Sequence, residues 1–196
     1  MTTSSEEVAR ILESQKEKAT RDLYFCALLS REIKSTELPI VVVGGSAIEI
    51  YTDGAYVSGD IDIVGNRSAL ASVLESWGFI RKGREWYHER WKLAIDIVND
   101  HVGMTGSREL IRTIVTPYGA VRLAAIEDLI TKRLVSAKYW NIPSDREHAA
   151  ILARKFRAEL DRIYLSEATT RAQVADEWGE LERRLYPSGR RRSGPE

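Results

Sequence analysis

Apolar residues recur at a helical spacing in the N-terminal part of the chain. Between about Ser5 and Ile33 they fall three or four positions apart, which predicts one long amphipathic helix. The next segment, ELPIVVVGG, is a short apolar run rich in β-branched residues and bounded by Pro39 and two glycines, which favours a buried strand. SAIEIYTDG then predicts a short helix that starts at Ser46 and ends near Gly54.

Strict alternation replaces the helical spacing in the segment YVSGDIDIVG. It predicts a strand with Asp60 and Asp62 on one face and Ile61 and Ile63 on the other. A strand that only filled a sheet would not carry two carboxylates in apolar surroundings, because an uncompensated buried charge is costly. The segment therefore requires a positive partner for its aspartates.

The rest of the chain predicts more strands and then helices. NRSALASVLESWGF is typical of a helix with Asn66 as its cap. The following segment indicates paired strands in which Asp96 lies opposite its apolar neighbours. A hairpin is expected around Pro117 to Gly119, and from Ile126 to about Tyr186 the spacing is helical. We therefore expect the α/β (α+β) class, with a small mixed β-sheet flanked by helices and a helical C-terminal part.

Length and composition refine the domain organisation. A chain of 196 residues can form one sizeable core with a small helical attachment. We expect a core with its N-terminal helix over 1–125, a helical part over 126–186 and a disordered Gly/Ser/Pro/Arg-rich tail over 187–196. The 29 basic and 29 acidic residues cancel, so net charge does not indicate nucleic acid.

Several classes of protein do not fit the sequence. The single cysteine, Cys26, cannot form an internal disulfide, and its apolar neighbours predict burial. The histidines and this cysteine show no zinc-site spacing. The N-terminus lacks the order of a signal peptide, and no apolar run approaches ~18 residues, so we expect a cytoplasmic protein with no membrane partner.

The paired aspartates point to a metal. Successive residues on one strand face have Cα atoms about 6.5 to 7 Å apart, so the oxygens of Asp60 and Asp62 can converge on one cation. Mg²⁺ favours a few carboxylates plus substrate phosphates, with Mn²⁺ as the second candidate. With Asp96 on a neighbouring strand as a third ligand, the set could serve in-line phosphoryl chemistry on two metals.

The Gly-Gly-Ser turn supplies the complementary feature. Gly44 and Gly45 let the backbone come close to a ligand, and a helix that begins at Ser46 offers free N–H groups and a positive dipole end to a phosphate. Ser46 could also act only as a helix cap. The turn and the aspartates together predict a site for a metal-bound phosphate compound.

These motifs resemble the nucleotidyltransferase fold of the DNA polymerase β superfamily over residues 39 to about 98. The resemblance rests on GGS at a strand-to-helix turn, DID after a short gap, and the apolar-Asp-apolar strand AIDIV. It implies that Gly45 and Ser46 bind an NTP such as ATP, that Asp60 and Asp62 bind the metals, and that Asp96 is the third carboxylate.

A second resemblance lies downstream, in VRLAAIEDLITKRLVSAKYWNIPSDREHAAIL. The segment is similar to one in AbiEii-type and MenT-type toxin nucleotidyltransferases and their uncharacterised relatives. It implies that Lys132, on one helical face with Asp128, contacts the triphosphate, and that Asp145 is a base or a positioning group. SDRE also fits a capping box, with Ser144 as the cap and Glu147 reaching back.

Three functions are compatible with these motifs. The first is a metal-dependent nucleotidyltransferase that acts on a hydroxyl of tRNA, another RNA, a protein or a small molecule. Partners implied by the resemblance are an NTP, and a cognate antitoxin or a second copy of the chain. The second is a catalytically inactive nucleotide- or partner-binding module on the same fold. The third, a metal-dependent phosphohydrolase, is disfavoured because no His-Asp cluster occurs.

The aromatic segment REWYHERW leaves two interpretations open. Aromatic and basic side chains together can stack on bases and hold phosphates, as an acceptor platform would. Alternation would also place Trp86, His88 and Arg90 on one face of a strand, where aromatic residues of a hairpin commonly pack.

Overall fold

A computed structural model of the chain describes residues 3–33, 39–99, 106–107 and 109–186. The chain divides into two compact units, Met1–Leu129 and Ile130–Glu196. Within the described residues the helices and strands are, in chain order, α1 (Ser5–Glu13), α2 (Lys18–Glu32), β1 (Val41–Val42), α3 (Gly44–Tyr51), β2 (Ile61–Val64), α4 (Arg67–Ser76), β3 (Ile80–Lys82), β4 (Glu85–His88), β5 (Leu93–Asn99), β6 (Arg112–Thr116), β7 (Gly119–Leu123), α5 (Ile126–Tyr139), α6 (Pro143–Lys155), α7 (Arg162–Arg171) and α8 (Ala175–Leu185).

The first unit is built on one mixed sheet. Its seven strands follow the order β3-β4-β5-β2-β1-β7-β6. The β2–β5 and β1–β7 pairs are parallel, and the other neighbouring pairs are antiparallel. The mixed sheet flanked by helices confirms the α/β class predicted from the sequence.

The centre of the sheet is buried because its apolar residues alternate as predicted. Ile61 and Ile63 of β2 pair with Ile95 and Ile97 of β5, and each of the four is at most 1% exposed. Side chains alternate across a strand, so the residues between these isoleucines face the opposite side of the sheet. That opposite side carries the predicted aspartates.

The N-terminal segment forms two helices, and the prediction of one helix from Ser5 to Ile33 is wrong. Ser14 Oγ and Gln15 Nε2 donate to the Ile11 carbonyl at 2.7 and 3.1 Å. Such side-chain bonds compete with the backbone bonds that would continue the helix, which accounts for the end of α1. In α2 the predicted burial of Cys26 is confirmed, and burial raises the pKa of its thiol.

Two local predictions in the first unit are confirmed. Asn66 caps α4, where its Oδ1 accepts from the Ala69 N–H at 3.0 Å. β6 and β7 form the hairpin expected around Pro117. These elements follow short-range rules of capping and turn formation, so the sequence is sufficient to predict them.

The inward-facing aromatic residues of REWYHERW pack in the core. Trp86 is 5% exposed and His88 is 8% exposed. The His88 ring stacks on Trp91 with 3.7 Å between centroids, and His88 Nδ1 accepts from the Trp91 N–H at 3.2 Å. Burial lowers the pKa of His88, although a backbone hydrogen bond at Trp77 opposes this effect. These contacts favour packing over an acceptor platform for the buried rings.

The second unit contains α6, α7, α8 and most of α5. The predicted tail at 187–196 lies outside the described residues, and the domain bounds predicted from the sequence stay a prediction. None of the helices in the described ranges combines the length and apolar character needed to cross a membrane.

Candidate active site

Two carboxylates lie side by side on one face of the sheet. Asp62 of β2 is in register with Asp96 of the parallel strand β5. Neighbouring strands are about 4.8 Å apart, and in-register side chains of a parallel pair face the same side. Asp96 is 2% exposed and Asp62 is half-buried. The pair therefore concentrates negative charge where the sequence predicts a metal.

Asp60 lies in a bend immediately before β2, so the prediction that it belongs to the strand of Asp62 is wrong, and it is half-buried. Its carbonyl accepts from Ser58 Oγ at 2.9 Å. Among the described residues, no three or more His, Cys, Asp or Glu side chains are grouped closely enough to hold a metal alone. Mg²⁺ commonly takes one or two carboxylates and completes its shell with water and substrate phosphates. Asp62 and Asp96 fit that mode of binding, and the role of Asp60 as a metal ligand stays a prediction.

The glycine turn contacts the metal-ligand candidate Asp62 directly. The Gly45 N–H donates to Asp62 Oδ2 at 3.2 Å. Gly44 has φ of 59°, and a Cβ there would lie 2.1 Å from the same oxygen. Only glycine fits this backbone conformation and this close approach. The two halves of the predicted site, the turn and the aspartate strand, are therefore adjacent.

The helix after the turn begins earlier than predicted. α3 starts at Gly44, with Val43 as its N-cap, and the prediction of a start at Ser46 is wrong. The reason is that the Val43 carbonyl accepts from the Ala47 N–H at 3.1 Å, which opens the helical ladder two residues sooner. The shift places both glycines in the first turn of α3, where backbone N–H groups favour anions.

Ser46 connects α3 to β2. The side chain is 3% exposed, and its Oγ donates to the Val43 carbonyl at 3.0 Å. The same oxygen accepts from the Asp62 N–H at 3.1 Å. These bonds fix the distance between the turn and the aspartate strand, while the contact of Ser46 with a nucleotide stays a prediction.

Arg84 is a cation of the site that the sequence analysis did not single out. Its Nη2 lies 2.6 Å from Asp96 Oδ2, although its side chain is 79% exposed. The contact is an ion pair without the geometry of a hydrogen bond, since Oδ2 has no hydrogen-bond partner in the described part of the chain. Arg84 is near Asp96 because β4 pairs with β5 so that Glu85 is opposite Asp96. The register of β4 on β5 depends on residues that are distant in the sequence, so the residues around Arg84 do not indicate its contact with Asp96.

The fold of this chain is similar to that of a solved structure. The chain resembles the crystal structure of an antigenic nucleotidyltransferase-like protein from Paracoccidioides brasiliensis, with a TM-score of 0.53 and 11% identity over 86% of this chain and 94% of that one. The fold is nucleotidyltransferase-like.

The solution structure of the antibiotic-resistance factor ANT(2'')-Ia matches with a TM-score of 0.49 and 14% identity, over 81% of this chain and 94% of that one. No protein-family model matches the sequence, and no curated protein does.

A buried carboxylate supports the face of the sheet that carries the candidate site. Glu49 of α3 is 2% exposed, and its Oε2 accepts from Lys18 Nζ and from the Ser58 N–H, both at 2.8 Å. The bond to Ser58 holds the loop that leads to Asp60. Sequence analysis missed Glu49, although a lone acid in the apolar segment AIEIY was an available signal.

Lys18 compensates the charge of this buried carboxylate. Its Nζ lies 2.8 Å from Glu49 Oε2 and 2.6 Å from Asp22 Oδ2. Burial opposes the charged form of Lys18, but the hydrogen bonds and charges of Asp22 and Glu49 outweigh it and raise the pKa of the lysine. The network therefore stabilises the folded chain while Lys18 is protonated.

We expect Lys18→Met to lower the free energy of unfolding by about 1–2 kcal/mol at pH 8, less than for a fully buried pair because Lys18 is partly solvated. The folded-state pKa of Lys18 is raised, so its contribution is complete below the ordinary lysine pKa of about 10.4 and is lost as pH rises through the folded value. Urea denaturation at several pH values should show that the difference in free energy of unfolding between wild type and Lys18→Met decreases as the pH rises above the ordinary lysine pKa.

Lys16→Met is the matched control for this prediction. Lys16 is exposed. Its replacement should change stability by less than about 0.5 kcal/mol. A Lys18→Met protein as stable as the Lys16→Met protein at pH 8 would contradict the stabilising role of the network.

Asp145 lies in the second unit in a network of its own. It is 4% exposed, and its Oδ1 accepts from Arg133 Nη1 at 2.8 Å and from His148 Nδ1 at 3.0 Å. Burial alone would raise the pKa of Asp145, but hydrogen bonds from Ser136 and His148 and the charge of Arg133 lower it. The carboxylate is therefore ionised at neutral pH. Its place at the active site stays a prediction.

The capping box expected at Ser144 is wrong. The N-cap of α6 is Ile142, which makes no side-chain cap bond, and Pro143 follows in the first turn. Proline favours the first helical position, so the helix begins before Ser144. Asp145 is therefore held by its ion pairs with Arg133 and His148 and does not belong to a capping box.

Lys132 is exposed on α5, and its contact with a triphosphate stays a prediction. It forms no ion pair with any described residue, whereas Asp128 accepts from the Ser107 N–H at 2.8 Å. Although Asp128 and Lys132 lie on the same helical face, Asp128 therefore does not neutralise the charge of the lysine. An exposed, uncommitted cation is compatible with binding an anionic substrate.

Proposed function

We propose that the protein is a metal-dependent nucleotidyltransferase that transfers an NMP from an NTP to an acceptor hydroxyl and releases pyrophosphate. The observation that carries the proposal is the contact between the Gly44–Gly45 turn and Asp62, which is itself in register with Asp96. A phosphate-binding helix terminus and a carboxylate pair for a divalent cation are thereby joined. The nucleotidyltransferase-like fold supports the same reaction class.

The site residues would bind either the metal or the triphosphate. Asp60, Asp62 and Asp96 would hold Mg²⁺ or Mn²⁺, which neutralises phosphate charge and favours an in-line displacement when bound. The first turn of α3, with Gly45 and Ser46, offers its dipole end to the triphosphate.

The transfer forms a bond between the acceptor oxygen and the α-phosphorus of the NTP. The bond from that phosphorus to the oxygen bridging to the β-phosphate breaks, pyrophosphate leaves, and the hydroxyl proton passes to water. Lys132 offsets charge on the triphosphate. Asp145 acts as a positioning group rather than as the base, because its lowered pKa makes it a weak proton acceptor.

We also propose that the chain is a relative of AbiEii-type and MenT-type toxin nucleotidyltransferases. The similarity of residues 121–152 to those proteins supports this proposal. Its acceptor would then be tRNA, another RNA or a protein, and its partner a cognate antitoxin or a second copy of the chain.

An inactive binding module is the second candidate, and one observation favours it. Arg84 already neutralises Asp96, so this carboxylate pair does not depend on a metal for charge compensation. Such a module would bind a nucleotide without transferring it.

A transfer assay separates the two candidates. The protein is incubated with each α-labelled NTP, Mg²⁺ and either total RNA or a protein lysate, beside a variant with Asp60→Ala and Asp62→Ala. Label on the acceptor with wild type and none with the variant is the expected result. Nucleotide binding without transfer by wild type would favour the binding module, and a melting temperature unaffected by metal and nucleotide would overturn both.

A further inference from the structure

Arg84 lies at the tip of the β3–β4 hairpin, beside the acidic centre of the sheet. Glu85 pairs with Asp96, and Asp96 pairs with Asp62, so the three residues follow one line across β4, β5 and β2. The turn at Gly83 brings Arg84 over that line, with its Nη2 2.6 Å from Asp96 Oδ2. The hairpin thus presents a cation to the carboxylate that the proposed function assigns to a metal.

The two partners of this ion pair differ greatly in solvent exposure. The Asp96 side chain is 3% exposed, whereas the Arg84 side chain is 79% exposed. A buried carboxylate beside Asp62 requires a positive partner, because desolvation and like-charge repulsion both disfavour it. An exposed arginine held only at its end can leave at small cost, because exposed ion pairs are weak.

We propose that Arg84 is a positioning residue that neutralises Asp96 before the metal-nucleotide binds and leaves Asp96 when the divalent cation is bound there. The proposal rests on the proposed function, since it requires Asp96 to be a metal ligand. Arg84 and the cation would bind the same buried carboxylate and carry charge of the same sign, so they compete for it. The hairpin therefore sets the metal affinity of the site.

The charge-removing variant Arg84→Gln provides the test, with Mn²⁺ alone as the probe. Calorimetric titration should show Mn²⁺ binding about 5-fold tighter than in wild type, the order expected for one weak ion pair that no longer competes. The metal-free variant should melt about 2–4 °C lower, because Asp96 has lost its counter-cation. Saturating Mn²⁺ should abolish this difference. A purely structural role would not make a less stable protein bind the metal more tightly.

Three further variants complete the test. Arg81→Gln removes the same charge from the same hairpin, but Arg81 Nε donates to the Gly83 carbonyl at 3.0 Å, so this control should match wild type. Arg84→Lys keeps the charge and should restore the wild-type affinity in large part. Asp96→Asn should lose most of the Mn²⁺ affinity.

The outcomes distinguish this proposal from the proposed function. Equal or weaker Mn²⁺ binding by Arg84→Gln, with binding lost in Asp96→Asn, would overturn the competition and leave the metal site intact. Tighter binding by Arg81→Gln and Arg84→Gln alike would also overturn it, since net charge alone would then account for the effect. No Mn²⁺ binding by wild type or by Arg84→Gln would overturn the metal site and the proposed function together.

Discussion

Replacing Asp62 by Asn is expected to reduce NMP transfer by about 10³-fold while leaving the protein folded. The amide keeps the shape of the carboxylate and can still accept from the Gly45 N–H, but it removes the charge that would hold the cation beside Asp96. Loss of one of two neighbouring like charges should not lower the free energy of unfolding. The transfer rate with an α-labelled NTP at saturating Mg²⁺ and the urea denaturation midpoint measure the two effects.

Glu75→Gln is the matched control, because Glu75 is an exposed acid on α4. The variant should transfer NMP at the wild-type rate and unfold at the wild-type urea concentration. An Asp62→Asn protein with a transfer rate within about tenfold of wild type would show that Asp62 does not bind the catalytic metal.

The candidate carboxylates could be found from the sequence because their signal is local. An acid between β-branched apolar residues breaks the pattern of a buried strand, and Asp62 and Asp96 both break it in this way. Alternation then assigns each to the face opposite the core. Their register with each other needed the structure, because the sequence separates them by a helix and two strands.

The roles of Arg84 and Glu49 could not be predicted from the sequence, because their partners are distant along the chain. Arg84 meets Asp96 only through the pairing of β4 with β5. Glu49 is paired with Lys18 of α2, which local periodicity cannot associate with α3. Supporting charges around a site are therefore harder to predict than the site residues, whose own segment is unusual.

Errors at helix ends have a different physical origin. Caps and turn bonds decide helix ends, and several residues in a row often satisfy the same rule. Side-chain bonds of Ser14 and Gln15 end α1 inside a continuous apolar pattern, and Pro143 moves the start of α6 ahead of the apparent cap at Ser144. The apolar spacing determines that a helix forms and which face it buries, but it leaves the ends open to such local competition.

Gly44→Ala is expected to lower the free energy of unfolding by about 1–3 kcal/mol and to abolish most of the NMP transfer. Alanine is strained at φ of 59°, and its Cβ would lie 2.1 Å from Asp62 Oδ2. The chain can relieve that overlap only if Asp62 or the first turn of α3 moves, which breaks the 3.2 Å bond from the Gly45 N–H. Urea denaturation and the α-labelled NTP assay measure stability and activity on the same preparation.

Gly59→Ala separates the steric effect from a general loss of backbone freedom. Gly59 immediately precedes Asp60, yet a Cβ there would meet nothing within 4 Å. This variant should keep its free energy of unfolding within about 0.5 kcal/mol of wild type and should retain transfer. If Gly44→Ala were as stable and as active as Gly59→Ala, the turn would not need to touch Asp62. The contact between the glycine turn and Asp62 would then not be required for the reaction.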